Sequence, residues 1–447
     1  MCDMDTPIAD FLRTYAASGT SRLHMPGHKG VGELGCEHLD ITEVSGADAL
    51  YEADGIIARS EANATVLFGS GRTVFSTEGS SQCIRAMLYL ALTNRPKGAK
   101  PVVVAARNVH KAFVYACALL DLDVVWLSPE GDARSLCSCR ITAEKLDRTL
   151  SAMDAPPCAV YLTSPDYLGG RADIAALAEV CHAHGTVLAV DNAHGAYLHF
   201  LNTPVHPLDL GADICCDSAH KTLRVLTGGA YLHIGKNAPA GFAENAKSAM
   251  ALFGSTSPSY LIMASLDLCN RILAEDFSTK LASCVDNLDA LRRELSETGW
   301  SVEDTDPLRV TINAPMEMTG IQLAEKLRRH GVECEYADPE FLVLMATPDN
   351  TPEDFARVVE ALGVNTAPAA VREPLPVAIG EKACSIREAL FRPHETIPTN
   401  QGLGRICASP TVACPPAIPI AVSGEVIGKD AMALFSHYGV ETLDVLL

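Results

Sequence analysis

The chain has 447 residues, of which 48% are hydrophobic and 20% are charged, and its formal net charge is −20. This length exceeds one ordinary hydrophobic core, so we expect two or three domains. The acidic balance, without any run rich in Lys and Arg, argues against nucleic acid and anionic membranes as partners. An acidic surface could attract cationic substrates, although simple solubility is the more ordinary explanation.

Between about residue 73 and residue 235, short apolar segments alternate with helical ones. This alternation predicts repeated βαβ units, and therefore an α/β fold with a mostly parallel sheet. The segments rich in Val, Ile and Leu suit strands that are buried on both faces. The predicted strands are Pro101–Ala106, Asp123–Leu127, Cys158–Thr163, Thr186–Asp191, Ala212–Ser218 and Gly229–Ile234. The predicted helices are Ser81–Leu92, Lys111–Leu120, Thr142–Met153 and Ile174–His184.

The segment Gly254–Pro258 interrupts this pattern, and the remaining elements predict a second, smaller α/β domain. A Pro-containing linker and a small, Pro-rich appended domain follow it. The elements predicted there are a long helix (260–298), a strand (308–313), a helix (320–330), two strands (332–336 and 341–347) and a helix (352–362). The predicted domains are an N-terminal arm (1–40), a large domain (41–270), a small α/β domain (271–366) and a C-terminal domain (367–447).

The most informative positions are Lys221 and Asp191, which each follow a predicted strand. Open α/β sheets bind their ligands beyond the carboxyl ends of such strands. A lysine there can bond an aldehyde cofactor, and a carboxylate there can pair with a pyridinium nitrogen. Together the two residues predict binding of pyridoxal 5'-phosphate.

A phosphate site is predicted at Ser76–Gln82, where small hydroxyl residues precede an apolar-periodic helix. The free backbone N–H groups and the dipole of a helix start favour an anion. Ser80 and Ser81 are the hydroxyl residues closest to that start. For this motif alone, a plain serine N-cap is the more common interpretation.

Three histidines lie beside these segments. His110 follows the strand at 101–106 and could lie flat over a cofactor ring, although a capping or surface role is equally consistent with its position. His220 could transfer protons, and Ser218 next to it could hold phosphate. His194, in Asp191–Gly195, could satisfy only a local hydrogen bond. Asp191 alone would be read as a helix cap or a turn residue.

Taken in order, these segments resemble the ornithine/lysine/arginine decarboxylase family, which consists of pyridoxal-phosphate enzymes of fold type I. The resemblance covers nearly the whole chain. The segments that carry it are 24–30 (His-Met-Pro-Gly-His-Lys-Gly), 40–44, 48–55, 67–69, 78–81, 108–111, 163–167, 191–195, 218–223 (Ser-Ala-His-Lys-Thr-Leu), 255–260, 264–267, 404–406, 415–419 and 424–425.

The resemblance implies a role for individual residues. Lys221 matches the lysine that bonds the cofactor, Asp191 the partner of the pyridine nitrogen, and His110 the histidine stacked on the ring. Thr256 matches a threonine that reaches the phosphate from the neighbouring subunit, which implies a homodimer with shared active sites. The other positions expected around the cofactor are Ser80, Ser81, Gln82, Ala193, Ser218 and His220. The chain begins almost at the His-Met-Pro-Gly-His motif, so we expect it to lack the extra N-terminal domain of larger relatives.

Some positions depart from the family pattern. Asp166 stands where the family usually has Thr, Gly228 where it commonly has Gln, and Cys414–Ala417 where it usually has Tyr-Pro-Pro-Gly. The expected activity is decarboxylation of a small cationic amino acid, with arginine preferred over lysine and ornithine because short relatives are often arginine decarboxylases. An acid should read the distal cation of the substrate. The candidates are Asp48, Glu52, Asp166 and Glu425.

Two other interpretations stay open. An aminotransferase or another pyridoxal-phosphate lyase on the same fold would use the same cofactor residues. A catalytically weak homologue would bind the cofactor or an amino acid without turnover. A nucleotide-binding dehydrogenase is disfavoured, because no Gly-x-Gly-x-x-Gly follows the first strand. The sequence does not say whether the amine serves polyamine synthesis.

The cellular compartment is predicted from the cysteines and from the lack of a membrane span or a signal peptide in the sequence. No apolar run approaches the roughly 18 residues that a membrane span requires, and the first residues lack the features of a signal peptide. The 16 cysteines therefore indicate free thiols in a reducing cytoplasm. Neither Cys215–Cys216 nor Cys137–Cys139 has the spacing of a zinc site, so no metal is expected.

Overall fold

The structure is a computed structural model that describes residues 4–95, 97, 99, 101–131, 134–368, 373–413 and 416–447. Its helices are α1 (Pro7–Ala17), α2 (Ile56–Leu67), α3 (Gly79–Thr93), α4 (Lys111–Leu120), α5 (Ala143–Ser151), α6 (Ile174–Ala183), α7 (Ala219–Thr222), α8 (Ala240–Leu252), α9 (Tyr260–Glu275), α10 (Phe277–Glu297), α11 (Gly320–Arg329), α12 (Pro352–Leu362), α13 (Ile386–Phe391) and α14 (Lys429–His437). Its strands are β1 (Arg72–Ser76), β2 (Val102–Ala106), β3 (Asp123–Leu127), β4 (Ala159–Thr163), β5 (Leu188–Asp191), β6 (Ile214–Asp217), β7 (Ala230–Ile234), β8 (Ser301–Val302), β9 (Arg309–Asn313), β10 (Tyr336–Ala337), β11 (Phe341–Met345), β12 (His394–Pro398), β13 (Thr411–Ala413), β14 (Ile418–Ala421) and β15 (Thr442–Leu446).

The first of two compact units comprises residues 1–97 and 181–279. Its strands are ordered β1-β7-β6-β5, with β5 parallel to β6 and with β7 antiparallel to both β6 and β1. Phe68, Phe75 and Tyr231 pack together in its core, with ring centroids 5.2 and 5.6 Å apart. Because β5 and β6 run in the same direction, their carboxyl ends place Asp191 opposite Cys216 at one sheet edge.

The second unit comprises residues 98–180 and 280–447. Strand β2 lies between β4 and β3 and is parallel to both. A separate antiparallel sheet has the order β10-β11-β9-β8, and two strand pairs, β12 with β15 and β13 with β14, lie near the C-terminus. Ile420, Phe435 and Val445 are central to a buried apolar cluster there. Of the five pairings that involve β1–β7 within the two units, three are parallel. The predicted α/β class is therefore confirmed.

Two predicted elements were wrong in detail, and one strand was missed. The helix predicted over 260–298 is two helices, because the chain leaves the helical conformation at Asp276. The strand predicted over 332–336 is reduced to Tyr336–Ala337, since Gly331 adopts a positive φ and the Val332 N–H closes the end of α11 on Leu327. Strand β1 went unpredicted, because five residues with a charged end carry little periodicity.

Several observations complete the fold. Among the described residues, none of the helices combines the length and the apolar character that crossing a membrane requires. All 14 cysteines that the structure describes are free thiols. Cys414 and Pro415, part of the C-terminal motif of the resemblance, and residues 369–372 of the predicted linker lie outside the described residues.

Candidate active site

Lys221 lies in the single helical turn α7, directly after β6. Its backbone N–H donates to the Ser218 carbonyl, which turns the chain sharply at the strand end. The side chain is partly exposed, and its Nζ atom lies 2.9 Å from Nε2 of His194. The predicted lysine is therefore only partly buried and has a buried imidazole beside its amine.

His194 is the functional candidate that the sequence did not identify. It is 4% exposed and belongs to the turn that follows β5. The sequence suggested only a local hydrogen bond, whereas its partner is Lys221, 27 residues further along the chain. Only the parallel pairing of β5 with β6, which joins the ends of two distant segments, could have revealed the contact.

Asp191 ends β5 and is 3% exposed. Its Oδ1 atom accepts a hydrogen bond from the Ala193 N–H at 3.2 Å, and the Cys216 thiol donates to the same oxygen at 3.7 Å. Burial raises the pKa of Cys216 well above its usual range, so the sulfur keeps its proton as a donor. Asp191 and Lys221 thus belong to the same unit and follow neighbouring parallel strands, as predicted.

The residues predicted to bind an anion lie in the first turn of α3. The helix begins at Gly79, two residues earlier than predicted, and Ser80 Oγ lies 2.9 Å from the donating Ser218 Oγ. With 15 residues, α3 presents a positive dipole end to a phosphate. Ser81 lies in the same turn and is partly exposed.

Gln82 has a different environment from its two serine neighbours. Its side chain is fully buried and donates to the Tyr51 hydroxyl and the Met250 carbonyl, both at 2.9 Å, while accepting from Ser76. These contacts commit the amide to the protein interior. The place of Gln82 in the cofactor site stays a prediction.

His220 is partly buried beside Lys221. Its Nδ1 lies 2.9 Å from the Gly229 carbonyl, so Nδ1–H is the donor and Nε2 is left as the proton-accepting nitrogen. Burial lowers the pKa of His220 below its usual value, the Gly229 carbonyl opposes that shift, and the Lys221 charge adds to it. The imidazole is consequently neutral at pH 7, as a base for proton transfer must be.

His110 and Thr256 are the two remaining residues with a predicted cofactor role. In the second unit, His110 is the N-cap of α4, where its Nδ1 accepts the Ala112 N–H at 3.1 Å. The capping role considered from the sequence is therefore confirmed, and ring stacking stays a prediction. In the first unit, Thr256 lies in an exposed loop between α8 and α9, as a residue offered to a partner would.

The acids proposed to read the substrate cation are mostly engaged within the protein. Asp48 accepts several backbone N–H groups, including those of Ala49, Gly55 and Ile57 at 2.9 Å. In the second unit, Asp166 accepts the N–H groups of Leu168 and Gly170, and burial raises its pKa to about 6.

Glu425 and Glu52 complete the set of four acids. Glu425 pairs with Arg107 at 2.8 Å, and both side chains are buried. Glu52 is exposed. It therefore remains the best of the four candidates.

The residues of the first unit fit pyridoxal phosphate on their chemistry. Lys221 offers an amine for the aldehyde, Asp191 a buried carboxylate for the ring nitrogen, and the α3 N-terminus with Ser80 and Ser218 a cradle for the phosphate. Each group is the donor or acceptor that the corresponding part of the cofactor requires. No part of this fit depends on the second unit.

Comparison with known proteins agrees with this geometry. Residues 6–353 match the family model described as Orn/Lys/Arg decarboxylase, major domain. The arginine decarboxylase of Halalkalibacterium halodurans is 27% identical, over 96% of this chain and 92% of its own length. The solved lysine decarboxylase LdcF of Francisella novicida has a TM-score of 0.80 at 16% identity, covering 100% of this chain and 82% of that one. A serine palmitoyltransferase from S. paucimobilis, solved with bound PLP–myriocin, has a TM-score of 0.52 at 18% identity, over 68% and 74% of the two chains.

Proposed function

The chain belongs to the Orn/Lys/Arg decarboxylase family, and we propose that the basic amino acid it decarboxylates is arginine. It is a pyridoxal-phosphate enzyme of fold type I that releases carbon dioxide and an amine. Arginine is favoured because relatives that align with 96% of this chain are named arginine decarboxylases. The observation that supports the residue roles is the Lys221 amine, 2.9 Å from buried His194 and one strand away from Asp191.

When bound, pyridoxal phosphate supplies an aldehyde for an amine and a ring that draws electrons from the bond to the carboxylate. Lys221 would hold the cofactor through its Nζ amine, the group that an aldehyde requires. Asp191 keeps a proton on the ring nitrogen, because a buried carboxylate favours the cationic partner. Ser80, Ser81 and the N–H groups of α3 bind the phosphate.

The proton steps fall to two neighbouring side chains. The α-carbon must receive a proton after carbon dioxide leaves, and either Lys221 Nζ or His220 Nε2 supplies it. Because the Nδ1–H of His220 is fixed on Gly229 and its pKa is lowered, Nε2 is a proton acceptor at neutral pH, so it would first take a proton from the substrate ammonium and then return it.

The resemblance also suggests an assembly and a location for this chain. We propose a homodimer in which Thr256 reaches the phosphate of the neighbouring subunit and His110 stacks on the cofactor ring. The exposed position of Thr256 supports this arrangement. The 14 free thiols support a reducing compartment, the cytoplasm.

The first experiment measures carbon dioxide release from arginine, lysine and ornithine by the purified protein loaded with pyridoxal phosphate. We expect release from arginine, with agmatine as the amine, and at least a 1,000-fold loss in Lys221→Ala, since covalent catalysis is removed (an order-of-magnitude figure). Lys236→Ala, which removes an exposed lysine, is the matched control and should retain activity.

Three results would contradict the proposal. Faster release from lysine or ornithine than from arginine would reassign the substrate. Conversion of the cofactor to its pyridoxamine form, with a keto acid as co-substrate and without carbon dioxide, would indicate an aminotransferase. Binding of cofactor without any turnover would indicate the catalytically weak homologue.

A further inference from the structure

A buried polar cluster lies at the end of β6, immediately before the catalytic turn. Asp217, His206 and His233 are each 0% exposed. One carboxylate oxygen, Oδ2, lies 3.1 Å from Nε2 of His206 and 3.2 Å from Nε2 of His233. Asp217 therefore has two imidazole partners and is separated from Lys221 by only three residues.

The contacts of the Nδ1 atoms of His206 and His233 indicate which nitrogen of each imidazole carries the hydrogen. The Leu208 N–H points at Nδ1 of His206 at 3.4 Å, so that nitrogen is an acceptor and Nε2 carries the hydrogen. Nδ1 of His233 lies 2.8 Å from the Thr73 hydroxyl, which can donate to it in the same way. Both rings can thus be neutral donors to a charged Asp217. Although residues of these types also bind zinc, the cluster is already closed by hydrogen bonds.

Asn192 connects this cluster to the cofactor-binding turn. Its Nδ2 donates to Oδ1 of Asp217 at 2.6 Å, and its backbone N–H donates to the Cys216 carbonyl at 3.0 Å. A Cβ atom at Gly195 would lie 2.1 Å from Oδ1 of Asn192, so a glycine is required for this side-chain position. The asparagine stands directly between Asp191 and the Ala193–His194 pair.

We propose that Asp217 is a positioning residue which, through Asn192, holds the turn that carries Asp191 and His194 against the cofactor. His206, which lies near both carboxylate oxygens, and His233, which lies near Oδ2, hold the carboxylate in place. This inference rests on the proposed roles of Asp191 and Lys221. It extends them because neither Asp217 nor Asn192 contacts the substrate in this role.

The test compares variants that break or keep the link while leaving the cluster in place. Asn192→Ala removes the donor to Asp217. Asp217→Asn also disturbs this link, because an amide offers one accepting atom where Asn192 and the two imidazoles share the two carboxylate oxygens. His206→Gln changes a different member of the cluster while retaining a donor. For each protein we would measure the dissociation constant for pyridoxal phosphate, and the pH at which the visible absorbance of the bound cofactor changes.

In Asn192→Ala we expect the dissociation constant to rise about tenfold, the loss typical of one hydrogen bond to a charged group. The pH midpoint of the absorbance should also move, because Asp191 is no longer held. Asp217→Asn should raise the constant by a similar factor, since its single amide oxygen cannot accept from Asn192 and from both imidazoles at once. His206→Gln should lower the melting temperature without moving the absorbance midpoint.

Two outcomes would overturn the inference. One is wild-type cofactor affinity and an unchanged absorbance midpoint in Asn192→Ala. The other is an equal change in His206→Gln, which would show general loosening of the core. If Asn192→Ala is insoluble, Asn192→Ser provides the same break with a polar side chain. Both readouts concern cofactor binding, so they stand even if carbon dioxide release from arginine is absent.

Discussion

Buried carboxylates in this chain respond to pH in opposite directions, depending on their partners. Although burial alone would raise the pKa of Asp217, His206 and His233 hold it well below its usual range. Asp267 also lies in the first unit, and it accepts hydrogen bonds from Ser60 and from the N–H groups of Ile8 and Ala9. There burial dominates and raises the pKa to about 6.

These directions fix the sign of each contribution to stability. The unfolded state binds a proton more readily than folded Asp217, so the stability from Asp217 is present above the ordinary pKa of 3.8 and is lost as the pH falls below it. For Asp267 the folded state binds the proton more readily. Stability from that residue is therefore lost as the pH rises from about 4 to about 6.

We predict that Asp217→Asn lowers the free energy of unfolding most at pH 7 and progressively less below pH 4. The variant lacks the charge whose protonation drives the loss, so the two stability curves should converge in acid. Urea denaturation of both proteins between pH 3 and pH 7 measures the difference. A constant difference over that range would show that the charge of Asp217 does not stabilise the fold.

The sequence predicted where a residue lies in the fold when the neighbouring segment alone carried the signal. Lys221 and Asp191 were found because each follows an apolar strand, and the geometry places them after neighbouring strands. The contacts of His194 with Lys221 and of Asp217 with His206 depend on how strands pair and how loops return. A single sequence contains no local signal for those pairings.

At the scale of elements, α3 has the clearest consequence for function. Its first turn has no acidic residue, and its N-cap, Glu78, makes no side-chain capping hydrogen bond. Helix starts ordinarily gain stability from a carboxylate or a hydroxyl cap. The Gly79 N–H donates to the Gly228 carbonyl, while the N–H groups that follow it have no side-chain cap and suit a phosphate site.

We predict opposite effects of Ser80→Asp on stability and on cofactor binding. A carboxylate in the first turn should stabilise the cofactor-free protein by about 0.3–1 kcal/mol, since it complements the helix dipole. It should also weaken pyridoxal-phosphate binding by about 100-fold or more, because it occupies and repels the phosphate position. Melting temperature without cofactor and titration with cofactor give the two values.

Ser80→Ala is the control for Ser80→Asp. It removes the same hydroxyl, and with it the contact with Ser218, but adds no charge. The site at α3 would be refuted if both variants bound the cofactor equally well. It would be supported if only the aspartate caused a large loss.

The boundaries of helices and strands were predicted correctly at some positions and not at others. The β3 strand and the α4 helix occupy the predicted residues, because strong apolar periodicity ends at turn residues on each side. The predicted strand at 332–336 failed because Val332 hydrogen-bonds back to α11 instead of entering a sheet. Whether such a residue closes the preceding helix or begins a strand depends on tertiary contacts.

For the molecule as a whole, the second unit is assembled from segments far apart in sequence. Arg107, just beyond β2, donates to the carbonyls of Ala378 and Ile420 and to Glu425. Its guanidinium also lies 4.8 Å from the centre of the Trp126 ring. One buried cation thus joins the parallel strands to the C-terminal segment. The domain boundary at residue 366 stays a prediction.

We predict strong coupling between Arg107 and Glu425. Removing one charge leaves the other buried and unpaired, so Glu425→Leu should cost about 3–5 kcal/mol of unfolding free energy. Adding Arg107→Met to it should cost much less than the sum of the single changes, because no charge is stranded. Urea midpoints of the four proteins in this cycle measure the coupling, and additive losses would refute it.

The same contact determines when the protein can finish folding on the ribosome. Arg107 and its partner carbonyl at Ile420 are 313 residues apart. At roughly 5–20 residues per second, the guanidinium emerges about 15–60 s before that carbonyl has been synthesised. During this interval the nascent chain contains a cation destined for burial that has neither Ile420 nor Glu425 to bind. The last stretch of translation therefore sets the earliest moment at which this half of the enzyme becomes resistant to proteases and independent of chaperones.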